Sequence, residues 1–122
     1  MTMDLEALRR AVESEIEAYE YSVPPGTVGN RIPADRIRAK LAAMRRALVE
    51  PYWAEVEIRD TFEQVSSDTG PRVKCAIVAD DGSDSVLVFD PTQDEFLIAV
   101  RHNGGLWSIG VRGDAVGCFI AR

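Results

Sequence analysis

The chain has 122 residues, of which 46% are hydrophobic and 28% charged. This suits one globular domain, 1–122, that buries a core without disulfide or metal staples. No apolar run reaches the roughly 18 residues of a transmembrane helix, and Met1–Arg10 is charged where a signal peptide would be apolar, so a cytoplasmic location is expected. The net charge of −6 argues against a general nucleic-acid binder, because phosphates repel most of such a surface.

The acidity is unevenly spread. Residues 1–30 carry six acids and two bases, and residues 51–122 carry twelve acids and six bases. Between them lies a basic island of Arg31, Arg36, Arg38, Lys40, Arg45 and Arg46, opposed only by Asp35 and Glu50.

A first helix is expected over about 4–21. Leu5, Leu8, Val12, Ile16 and Tyr19 recur at steps of three and four, the period of one helix face. Thr2 or Asp4 can cap its start, and Val23-Pro24-Pro25-Gly26 cannot continue it. After a loop at 22–32, Pro33 suits the first position of a second helix over about 33–50, ended by Pro51. Ile37, Leu41, Met44 and Leu48 form its buried stripe.

The remainder, about 53–121, reads as an antiparallel meander. Ala54, Val56 and Ile58 alternate with Glu55, Glu57 and Arg59, one face buried and one wet. A polar connection over 61–72 follows. Apolar segments over 73–79, 86–89, 96–101, 106–112 and 115–121 are separated by Asp81-Gly82, Asp90-Pro91, Asn103-Gly104 and Gly113-Asp114, all turn formers. The expected fold is α+β, with both N-terminal helices on one face of a five- to six-stranded sheet.

Two-residue turns at Asn103-Gly104 and Gly113-Asp114 would fix the pairing of the last three strands. One face would then carry Phe96, Ile98, Val100, Trp107, Ile109, Val111, Val116, Cys118 and Ile120, a continuous layer for the helices. The other would carry Leu97, Ala99, Arg101, Leu106, Ser108, Gly110, Gly117, Phe119 and Ala121, with Gly110 opposite Gly117. Either Val86 with Val88 or Leu87 with Phe89 would extend it. Such a lean apolar face lacks the polar alternation of a solvated sheet. It needs a cover: the 22–32 loop, a second subunit, a partner, or the sheet itself curled around a cavity.

No catalytic set stands out. His102, the one histidine, sits at a hairpin tip, about seven ladder positions from Cys118, too far for a dyad. Cys75 and Cys118 lack CxxC spacing and read as buried free thiols. Asp80-Asp81-Gly82-Ser83-Asp84 lacks the Gly and Glu positions of a calcium loop, and no phosphate-loop pattern is present. In Arg112-Gly113-Asp114 the last two residues already have a turn to make. No metal or cofactor is expected.

The order of two helices followed by a meander is similar to that of NTF2-like cone domains and of bacterial toxin-immunity proteins. The first resemblance implies a small-molecule cavity; were the sheet curled around one, Trp53, Trp107, Tyr19 or Tyr52 would line it, with Cys75, His102 or a buried carboxylate as the polar group. The leading expectation is a non-catalytic, acidic interaction module, a binder, inhibitor or immunity-like protein. It would meet another protein or a second copy of itself through Leu97, Ala99, Leu106, Ser108, Gly110, Gly117 and Phe119. A cone domain with a binding or catalytic cavity is the alternative. A further alternative is contact with an acidic partner or RNA through the basic second helix and its approach, where Arg31, Arg38 and Arg45 recur every seven residues.

Overall fold

A computed structural model describes residues 4–22, 34–59, 71–102 and 104–121. The elements run α1 (Leu5–Ser22), α2 (Ala34–Ala47), β1 (Leu48–Glu57), β2 (Arg72–Asp80), β3 (Ser85–Asp90), β4 (Glu95–His102), β5 (Gly105–Gly113) and α3 (Ala115–Ala121). The class is α+β, with three helices and a sheet of five strands among the described residues.

The sheet closes on itself in the order β1-β2-β3-β4-β5. Successive strands pair antiparallel. With an odd number of strands the first and fifth must then run the same way, so the closing contact is parallel. Among the described residues it consists of one residue pair, Glu57 with Trp107.

Closure gives the sheet an inside and an outside, and alternation sorts the strand residues between them. The inside is filled by Val56, Ile58, Cys75, Ile77, Val86, Val88, Leu97 and Ala99, with Val49, Ala54, Val73 and Leu106 at its margins. The outside carries Ala76, Val78, Leu87, Phe89 and Ile98, which pack against Leu8, Val12 and Ile16 of α1 and Ile37, Leu41 and Met44 of α2. Both predicted helical stripes therefore lie on the sheet. Leu48 is the exception: α2 ends at Ala47, and Leu48 opens β1.

Three irregularities shape the barrel. Pro51 lies in β1 where the register with β2 slips between Leu48 and Tyr52, because proline cannot donate to a ladder. A second slip, between Ile77 and Ala79, puts adjacent Val78 and Ala79 into the helix-facing cluster. In β5 two extra residues are accommodated between Ser108 and Arg112, opposite Ile98. Gly110 sits in that bulge with φ +80°, the left-handed region that favours glycine.

The last segment departs most from expectation. Residues 115–121 form α3, not a strand, and Gly113-Asp114 is its entry, not a hairpin turn. The Asp114 Oδ1 accepts the Gly117 N–H at 2.6 Å, an N-cap. Glu15 of α1 accepts the Ala115 and Val116 N–H groups at 3.3 and 2.6 Å. At the other end, the Lys40 ammonium of α2 donates to the Ile120 carbonyl at 3.1 Å. Ala115, Val116, Cys118 and Phe119 complete the helix–sheet core.

Candidate functional site

The lean face divides once the fold is known. Leu97, Ala99, Leu106 and Ser108 belong to the barrel interior or its margin, and Leu97 and Ala99 have no exposed surface. Val86 and Val88, not Leu87 and Phe89, join them. Gly110 occupies the β5 bulge. Gly117 and Phe119 are on α3, so Gly110 does not face Gly117 across a ladder. Phe119 is buried. The cover is the sheet itself, curled until its own side chains fill it. An open apolar sheet surface made of these seven residues does not exist.

The remaining sequence-level candidates scatter. Arg38 and Arg45 are exposed on α2, with the Arg38 guanidinium 3.6 Å from Asp35. Arg31 lies outside the described residues, as do the rest of 23–33, residues 60–70 and Asn103. His102 ends β4, paired with Gly105.

Cys75 and Cys118 are free, buried and on opposite sides of the sheet wall. Burial, reinforced by the Asp90 carboxylate, pushes the Cys75 thiol up to about 12. Burial, reinforced by Asp114, Glu15 and Glu95, pushes Cys118 up to about 11. Neither is a thiolate nucleophile near neutral pH.

Asp90 and Asp80 are committed to structure. Asp90, nearly fully buried, accepts the Thr92 N–H at 2.9 Å and faces the Arg112 guanidinium at 3.4 Å. Asp80 pairs with Arg101 and accepts the Gly82 N–H at 2.9 Å. Burial acts to raise the Asp80 pKa, but the Gly82 and Arg101 contacts outweigh it and hold the carboxyl below its ordinary range. Among the described residues no buried side-chain N or O atom lacks a hydrogen-bond partner, and no three His, Cys, Asp or Glu groups converge as a metal site.

What the barrel does present is an outer wall where β2, β1 and β5 meet. Ala54, Val56, Val73, Cys75 and Leu106 point inward, so the alternate positions Trp53, Glu55 and Glu57 of β1, Arg72 and Lys74 of β2, and Trp107 of β5 point out. Each tryptophan lies beneath a cation, Trp107 on this wall and Trp53 at its edge, where it packs against the helix–sheet core. The Arg59 guanidinium lies 3.2 Å from the Trp107 ring centroid, and the Lys74 ammonium 5.5 Å from that of Trp53. Arg59 also donates from Nε and an Nη to one Glu57 oxygen at 3.1 and 2.6 Å. Its backbone N–H donates to the buried Ser108 Oγ at 2.7 Å.

These contacts clasp the barrel at the closing pair Glu57–Trp107. Arg59 is itself 7% exposed, so its stack on Trp107 is substantially desolvated, where such contacts are strongest. Beside the clasp, Glu55, Glu57, Arg72, Gly104, Gly105, Leu106 and Trp107 line an open groove of about 300 Å³. Glu55 and Arg72 reach freely into solvent, with side chains 71% and 73% exposed and 3.8 Å apart. Ile109, 46% exposed, is the next outward residue of β5.

Sequence reasoning put Arg59 on a wet face and Trp107 under the helices. The missed signal was that Glu57 and Arg59 share the side of β1 opposite Val56 and Ile58, which only matters once β5 arrives alongside. Comparison with known proteins gives no match to a family model, a curated protein or a solved structure. The fold and the wall therefore define the class on their own: an α+β domain built on a filled five-stranded barrel.

Proposed function

We propose that the protein is a non-catalytic interaction module whose partner-binding surface is the outer wall of β2, β1 and β5. One observation carries this reading. The barrel interior is occupied by the protein's own apolar side chains, while Trp107, stacked under Arg59, and the exposed Glu55, Arg72 and Lys74 are gathered on an outside surface at a groove. Tryptophan and arginine are the residues that most often dominate binding energy at protein interfaces. The alternation of Glu55 and Glu57 with Arg72 and Lys74 supplies polar specificity around them.

The packed interior also weighs against a cone domain with a ligand cavity. Val56, Cys75, Val86, Val88, Leu97 and Ala99 are each completely or almost completely buried against one another. A small-molecule site needs several hundred Å³ of concave space with convergent polar groups.

Photo-crosslinking in cells tests the proposal. A photoreactive residue in place of the exposed Glu55 is expected to give a discrete protein adduct. The same residue at the exposed Gln93, in the β3–β4 loop, is expected to give none. Equal labelling at both positions, or none at 55, contradicts the reading.

A further inference from the structure

Resting on that reading, we infer that the wall binds a second copy of the chain, with β1 of each molecule lying over β2 of the other. The wall carries charge in two rows. Glu55 and Glu57 form the β1 row, and their register partners Lys74 and Arg72 form the β2 row. A two-fold axis above the wall, parallel to the strands and midway between β1 and β2, exchanges the rows without moving them along the strands. Each Glu55 then meets Lys74 of the second copy, and each Glu57 meets its Arg72. Because the interface is isologous, every pair occurs twice. A surface is self-complementary in this way only when opposite charges sit in register on adjacent strands, which is the case here.

Charge balance favours the same place. The molecule as a whole carries −6, so two copies repel over most approaches. On the wall, Arg72 and Lys74 balance Glu55 and Glu57, with the buried Arg59 held against Glu57, and the repulsion is locally removed. The surface is small, however. Two strands at about 4.8 Å spacing and five residues at about 3.3 Å each cover roughly 10 by 17 Å, below a standard stable interface. The dimer is accordingly weak, concentration-dependent and dissociated by salt.

Sedimentation equilibrium on the full chain, from micromolar to millimolar concentration, tests this with charge exchange. Wild-type protein is expected to dimerise at the upper end in low salt and to dissociate in high salt. Glu55→Lys alone and Lys74→Glu alone place like charges opposite each other and are expected to stay monomeric. Their equimolar mixture restores opposite charges at every Glu55–Lys74 contact and is expected to associate at least as well as wild type. The doubly exchanged chain, E55K/K74E, is expected to dimerise with itself, and unchanged thermal unfolding shows that each variant folds. The inference is overturned if wild type is monomeric throughout, if either single variant associates like wild type, or if the mixture does not. A monomeric wild type that still crosslinks to a different protein through position 55 refutes self-pairing and leaves the interaction reading standing. A monomer with no crosslink refutes both.

Discussion

At the scale of single residues, the entry to α3 shows how one side chain decides an element. Asp114 caps the helix through Gly117, and a Cβ at Gly117 would stand 2.3 Å from that same Oδ1. The glycine is there because the cap occupies the space a methyl group would need. Asp114→Ala is expected to cost about 1 kcal/mol in urea unfolding, the usual worth of an N-cap. Gly117→Ala is expected to give no stabilisation in the wild-type background, although alanine is the better helix former by about 1 kcal/mol. In the Asp114→Ala background the conflict is gone, and the same change is expected to stabilise by up to about 1 kcal/mol. Additive effects in that double-mutant cycle would show that cap and glycine do not compete.

At the scale of elements, the β1–β5 seam depends on a few contacts because it has one ladder pair among the described residues. Ser108 is the buried acceptor of the Arg59 N–H. Ser108→Ala removes that acceptor and is expected to cost about 1–3 kcal/mol, with faster amide exchange at Arg59 and little change in the β3–β4 hairpin. Much of the sheet was legible beforehand. The register expected from an Asn103-Gly104 turn, His102 opposite Gly105 and Val100 opposite Trp107, is the one observed there, but Phe96, expected opposite Val111, lies opposite Gly113. The pairing beyond Ala99 was not legible, because a bulge leaves no composition signal except a glycine, and Gly110 was open to other uses. Residues 115–121 were misread for a known reason: a short apolar run fits a buried strand and a buried helix equally well. Asp114 ahead of such a run was the available helix signal. The seven-residue lean surface was lost with that strand. The wall was invisible because strands 50 residues apart meet there only through closure of the barrel.

At the scale of the whole molecule, pH reads the burial pattern. Both thiols have folded pKa values above their ordinary 9.0. The folded chain therefore holds protons that the unfolded chain releases, and stability is full below about pH 9 and falls as pH rises toward 11 and 12. In a thiol-reagent assay at pH 8 the native protein is expected to be unreactive and the urea-unfolded protein to titrate two thiols. Rapid native labelling would mean that the barrel interior or the helix layer is open. Asp80 acts in the opposite direction. Its folded pKa is depressed, so its contribution is present above the ordinary 3.8 and is lost as pH falls through the folded value. Asp80→Asn is expected to flatten the acid limb of the stability curve.

The placement of function on the outside of the barrel is most directly tested by an NMR dilution series on uniformly labelled protein. As concentration rises, shifts are expected at the amides of Glu55, Glu57, Arg72 and Lys74 and at the Trp107 indole, with Val88, Leu97 and the α2 amides unchanged. Shifts centred on α2 or on the barrel interior, with the wall silent, would contradict it.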